Sequence, residues 1–181
     1  DYLAVKRLST VERSSPVIIV GKPLEHGKDQ LKPMIIGAYK DVSANYGLSV
    51  SNGRGLEQSD EDGAKMVVVV AAKTAEDLFG NSDPVGQNVS IGGYSLQIVG
   101  VLGSKGSALL SDLDKVVFMP FSTAKSITGQ SHLSYITLKT VGEPAIAKLD
   151  ITTTLRQRHR IVNPTNDPDK DDFIARGADQ V

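Results

Sequence analysis

Alternation of apolar and polar residues is confined to the middle of this chain. Residues 88–91 (NVSI) and 94–101 (YSLQIVGV) alternate with period two, and Gly92-Gly93 between them is the type of pair that makes a tight hairpin turn. Other apolar runs do not alternate. Residues 16–20 (PVIIV), 33–37 (PMIIG) and 65–70 (KMVVVV) are rich in β-branched side chains and predict buried strands. The run at 65–70 is apolar on both faces, which predicts a central strand. Further strands are expected at 115–119, closed by Pro120, at 134–139, and briefly at 172–175.

Helical spacing is weaker. Ala75, Leu78 and Phe79 predict a short helix capped by Thr74, ended by Gly80 in a left-handed conformation and stopped by Asp83-Pro84. Residues 122–127 predict a second, with Ser or Thr as cap, and the acidic stretch 59–62 suits a helix start. The longest helix is expected over 143–159, with Ile146, Leu149, Ile151 and Leu155 on its apolar face. Leu3, Val5 and Leu8 suit the end of a small amphipathic helix. Residues 21–30 read as a turn or hairpin, and the glycine-rich 45–55 as an irregular crossing. The loop 103–111 carries two leucines, Leu109 and Leu110, which suit a partner contact. The outline is α+β, without repeats or low-complexity tracts.

Composition narrows the chemistry. The 181 residues include no cysteine, which excludes disulfides, thiolate metal sites and a cysteine nucleophile. Twenty basic residues face 21 acidic ones, so no broad field attracts nucleic acid or anionic lipid. The longest apolar run, 66–72, is far short of the ~20 residues that span a bilayer. The chain opens abruptly at Asp1-Tyr2-Leu3 without a signal peptide and is expected to be a piece of something longer.

No motif names an active site. His26, His132 and His159 are far apart, with no i, i+4 pair. The stretch 166–172 (NDPDKDD) meets a calcium-loop template at Asp167, Asp169 and Asp171, then fails it at Asp172, where glycine is required, and at Ala178, where glutamate is. Arg156, Arg158, His159 and Arg160 end the long helix, where its dipole favours cations. Gly21-Lys22 and Gly27-Lys28 lack the Ser or Thr of a phosphate-binding loop, and no G-x-S-x-G elbow occurs. The carboxylates Glu57, Asp60, Glu61, Asp62, Glu76 and Asp77 are expected to serve solvation. No catalytic, cofactor-binding or metal-binding residue and no cofactor is expected.

An ordered set of motifs does carry a resemblance. Val67–Val70, then 75–80 (AEDLFG), 83–86 (DPVG), 89–93 (VSIGG) and 98–102 (IVGVL) resemble the MacB-like periplasmic core domain, the extracytoplasmic domain of FtsX-type ABC transporter permeases. Gly53-Arg54-Gly55 with Asp60 resembles that family's glycine-arginine turn before the central strand. Residues 114–120 with Ser122-Thr123-Ala124 resemble its strand-proline-helix step, and 155–161 with Asp171-Asp172-Phe173 its closing helix and strand. Each motif is weak alone; their order is the specific feature.

The resemblance implies a Porter-like lobe of strand-helix-strand units, residues 1–31 and 131–181, with an inserted strand-rich Sabre-like lobe, 32–130. It implies a domain outside the cytoplasmic membrane that performs no chemistry and couples ATP hydrolysis elsewhere to export. Its implied partners are a second permease subunit, a cytoplasmic ATP-binding domain and a periplasmic adaptor protein, with no nucleic acid. Lipoprotein release, or a stand-alone binding module, are the other functions left open.

Overall fold

The computed structural model describes residues 1–103 and 113–177. In chain order its first elements are α1 (Tyr2–Lys6), β1 (Val11–Val20), β2 (Leu24–His26), β3 (Asp29–Leu31), β4 (Ile35–Ala38), α2 (Val42–Asn45), β5 (Val50–Gly53), α3 (Gln58–Asp62) and β6 (Val67–Ala71). These are followed by α4 (Ala72–Phe79), β7 (Asn88–Ile91), β8 (Tyr94–Leu102), β9 (Val117–Pro120), α5 (Phe121–Thr128), β10 (Tyr135–Thr140) and α6 (Pro144–His159). Short 3₁₀ turns occupy Leu113–Lys115 and Pro168–Lys170. The fold is α+β, with one mixed sheet in the order β10-β1-β4-β9-β6-β8-β7-β2-β3 and β5 paired to β8. β4 runs parallel to β9 and β6 parallel to β8, while β1/β4, β6/β9 and β7/β8 are antiparallel.

Two compact units partition the chain: Asp1–Ser14 with Leu138–Val181, and Ser15–Thr137. The lobe limits expected from sequence lie elsewhere, at 31/32 and 130/131.

In the larger unit, unbroken β-branched runs dictate a sheet covered on both faces, because neither side of such a strand tolerates water. β6 is that strand, buried at all five residues between β9 and β8. Val68 and Val70 point into one core with Ile18, Ile35, Ile98 and Met119, beneath Ala75 and Leu78 of α4 and Ala124 and Ile127 of α5. Val69 and Ala71 point into the opposite core with Val17, Ile36, Leu102 and Phe118, beneath Val42 and Leu48. Each fully buried side chain of this kind contributes roughly 1.5–3 kcal/mol. The expected hairpin is present: Ile91 pairs with Tyr94 across Gly92-Gly93, whose φ of +58° and +83° are the pair of positive values a two-residue turn of this hand needs.

Several expectations are corrected. The crossing at 45–55 follows the one-turn helix α2 and contains strand β5, hidden from pattern reading because all four residues of β5 are exposed. Thr74 does not cap α4, which starts directly from β6 at Ala72; its buried hydroxyl donates to the Lys115 carbonyl at 2.7 Å. Gly80 ends α4 with φ +58° but ψ −122°, outside the left-handed helical basin. Neither Ser122 nor Thr123 caps α5, which follows Pro120 directly; their hydroxyls donate to the carbonyls of Glu61 and Lys65, each at 2.7 Å.

In the smaller unit α1 lies against α6, with Val5, Ala147 and Ile151 buried. The Thr10 hydroxyl donates to Asp150 of α6 at 3.0 Å. Ile146 and Leu149, expected on the buried face of α6, are both 56% exposed. No strand forms at 172–175; Asp171 and Asp172 are instead held through their side chains by α6. Among the described residues no helix is long and apolar enough to cross a membrane.

Candidate functional site at the arginine turn

The larger unit is most densely engineered where β5 runs into Arg54. β8 changes neighbours along its length, pairing β7 through Gln97 and β5 from Gly100. Between those segments it bulges against β6: Val68 pairs with Ile98, and Val69 with Gly100. The extra residue, Val99, presents its carbonyl to the Arg54 N–H at 2.9 Å. This approach needs glycine on both strands. A Cβ on Gly100 would sit 1.8 Å from the Arg54 carbonyl oxygen, and one on Gly53, at φ +70°, 2.3 Å from that of Val99.

The backbone so placed aims Arg54 at Asp60. Nη1 and Nη2 donate to the two carboxylate oxygens at 2.7 and 3.1 Å, a fork-to-fork pair, and Nη1 also reaches the Gly55 carbonyl at 3.0 Å. Asp60 is completely buried. It also accepts the Glu57 N–H at 2.9 Å, closing a capping box on α3, and Lys65 stands 3.5 Å away. Burial opposes its charge, yet the bonds from Arg54 and the Glu57 N–H, with the charges of Arg54 and Lys65, hold its carboxyl below the usual range.

Glu61 works in the opposite direction. Both its oxygens accept the Ser122 N–H, at 3.0 and 3.1 Å, so it caps the first turn of α5. Burial raises its pKa despite the bonds from the first residues of α5, and the adjacent Asp62 adds to the rise. Expecting these carboxylates to serve solvation was therefore wrong for Asp60 and Glu61, which join elements. Their partners lie six and 61 residues away.

Beside the turn is an open hollow of about 380 Å³ lined by Gly53, Arg54, Val85, Gly86, Gln97, Ile98 and Val99. Asp83 fixes its rim, accepting the Val85 N–H and the Asn52 side-chain amide, both at 3.0 Å. Nearby in the unit, the hydroxyls of Tyr46 and Tyr135 meet at 2.8 Å, and burial with that bond raises the Tyr46 pKa.

The other candidates are not brought together. His26 faces the Asn88 carbonyl at 3.1 Å and packs on Phe79, whereas His132 contacts Ser131. In the smaller unit both Asp171 oxygens accept from Arg156, each at 2.8 Å, and Asp167 caps its own turn through the Asp169 N–H. The calcium-like run is thus occupied in pairing arginine and closing a turn. In the basic cluster, likewise, Arg156, Arg158 and His159 meet carboxylates as well as the helix dipole. Arg158 bonds Asp1 at 3.0 Å, and His159 lies between Asp1 at 3.0 Å and Asp172 at 2.6 Å. Among the described residues no group of three or more His, Cys, Asp or Glu side chains could hold a metal ion. Leu109 and Leu110 lie outside the described residues.

Comparison with known proteins identifies the class as the extracytoplasmic domain of an ABC transporter permease. Residues 1–152 match the model of the MacB-like periplasmic core domain, and the chain belongs to that family. The macrolide export ATP-binding/permease protein MacB 2 of Aeromonas hydrophila is 30% identical over 154 residues, covering 83% of this chain and 24% of that protein. The chain thus spans about a quarter of the length of the curated relatives it matches. Among solved structures, the periplasmic region of MacB from Actinobacillus actinomycetemcomitans superposes with a TM-score of 0.76 at 20% identity, over 88% of this chain and 72% of that one. The extracellular domain of the noncanonic ABC-type transporter YknZ from Gram-positive bacteria gives 0.73 at 20% identity, over 88% and 82%.

Proposed function

We propose that this domain works outside the membrane as the moving arm of an export permease, coupling ATP hydrolysis on the cytoplasmic side to displacement of cargo. The family match over residues 1–152 carries the reading. Relatives named for macrolide export support export as the form of work. The arrangement of charged side chains agrees with it: Asp60, Glu61, Asp171 and Arg156 tie one element to another. A body that transmits force benefits from such ties, because elements that slip absorb the displacement.

In this reading nucleotide binding biases two arrangements of a dimeric permease, and the domain follows that bias. The ATP-binding domain is cytoplasmic, and a periplasmic adaptor protein receives the cargo. The lobes are proposed as Porter-like for 1–31 and 131–181 and Sabre-like for 32–130, with Leu109 and Leu110 touching the adaptor. The domain makes no bonds of its own.

The full-length permease, purified from its host with the adaptor encoded beside it, provides the test. Co-purification that is lost in the double substitution Leu109→Ser, Leu110→Ser, and nucleotide-dependent transport in vesicles, are the expected results. Capture of a lipoprotein instead of the adaptor would replace export by lipoprotein release.

A further inference from the structure

β5 is a short, outer strand, irregular in register at Ser51, that carries no charged or proline guard. Among the described residues its one strand neighbour is β8, and all four of its residues are exposed. Edge strands normally carry charge or proline, since an open row of backbone N–H and C=O groups pairs with any extended chain it meets. Residues 48–53 (LSVSNG) carry neither. The contrast is with β3, at the end of the sheet, which contains Asp29 and is flanked by Lys28 and Lys32.

The surroundings specify what would pair with it. In an antiparallel edge every second residue turns both backbone groups outward; the register of β5 slips between Val50 and Asn52, so it offers about two to four hydrogen bonds to a chain laid alongside. Val50 adds an apolar contact at 39% exposure. At the last residue of the strand, Gly53, the hollow begins, with Val85, Ile98 and Val99 in its lining. Alternation along an added strand would bring one side chain to that hollow. Glu57 and Asp83 border the same end; Arg54 pairs closely with buried Asp60 and more loosely, at 3.8 Å, with Glu57, and Lys65 lies 3.5 Å from Asp60. Those carboxylates outnumber the two cations, so the balance of charge there is negative.

We propose that the outer edge of β5 docks an extended segment of a partner polypeptide. That segment adds as a further strand, seats an apolar side chain in the hollow and turns a lysine or arginine toward Glu57 and Asp83. The chemistry of the edge is the same whichever cargo a permease moves, so the proposal stands apart from the export reading.

The probe is a phage-displayed library of random nine-residue peptides, selected against the 181-residue chain. Enriched peptides should alternate apolar residues with at least one Lys or Arg. Their binding should slow amide exchange at 49–54 and fall about tenfold in the double variant Val50→Lys, Ser51→Lys, because two lysines on the edge repel the peptide's own cation and remove the Val50 contact. Glu57→Gln should weaken them a few-fold at low salt. Unchanged amide exchange in β6 of each variant shows that the unit is still folded. Failure to enrich any peptide, equal binding by the double variant, or protection mapped elsewhere would each overturn the proposal. So would a dimer in light scattering that the same two substitutions abolish, because the edge would then belong to a second copy.

Discussion

At the scale of single residues, Asp60 and Glu61 are neighbours with opposite electrostatic fates. Asp60 is buried with a fork of donors, so removal of Arg54 leaves its charge with only Lys65 and the Glu57 N–H to offset burial. Arg54→Met is expected to lower unfolding free energy by about 2–4 kcal/mol in urea titrations. Glu57→Gln, at an exposed carboxylate 3.8 Å from the same guanidinium, should change it by less than about 0.5 kcal/mol. The depressed pKa of Asp60 stabilises the fold above the ordinary aspartate value of 3.8, and that contribution disappears as pH falls further. For Glu61 the sign reverses. Its raised pKa means that the folded state binds the proton more tightly, so its contribution is fully present below the ordinary value of 4.5 and is lost as pH rises through the raised one. Stability of the parent relative to Glu61→Gln should therefore improve on acidification from neutral pH toward 4.5, as read by denaturation at several pH values. Neither role was legible from the acidic run at 57–62. A carboxylate that caps a helix 61 positions away leaves no local spacing to read. The pairing of Arg54 with Asp60 could be suspected only through the glycine-arginine motif, since the two are near in sequence but need the bulge of β8 to face each other.

Among the elements, legibility followed burial. β6, β7 and β8 announced themselves through apolar runs or alternation, and the Gly92-Gly93 turn through its need for positive φ. β5 did not, because an exposed strand held by its backbone to β8 imposes no apolar period on its side chains. α6 shows the converse error. Ile146, Leu149, Ile151 and Leu155 suggested one buried stripe, but Ala147 and Ile151 occupy the interior. A small residue lets a neighbouring element come close, and hydrophobicity alone does not register that. Ile151→Ala should accordingly cost about 2–3 kcal/mol, and Leu149→Ala no more than about 0.5 kcal/mol, when both are compared by thermal or urea unfolding.

For the whole molecule, balanced charge is the main surface property: 20 basic against 21 acidic residues, with Arg156 and Arg158 at the end of α6 already committed to Asp171 and Asp1. The chain should sediment no more with phosphatidylglycerol vesicles than with neutral ones at physiological salt. Asp171→Asn, which removes the carboxylate paired with Arg156 and leaves Asn166 as a neutral partner, should raise that binding at low salt. Membership of the family was readable from sequence because the glycine, proline and β-branched positions fall in one order from Gly53 to Ala124. Where the compact units divide was not, since β1 and β10 each run through a limit without any break in composition.

The bulge in β8 has a meaning for how this chain could change. Ile98, Gly100, Val101 and Leu102 already match Val68, Val69, Val70 and Ala71 in order, and they alternate between the two cores as an uninterrupted strand would. Excising Val99 would leave that alternation whole; what would vanish is the carbonyl that fastens Arg54. The surplus residue is therefore a fitting for the neighbouring turn, and a lineage that dropped the turn could shorten β8 without reorganising its interior.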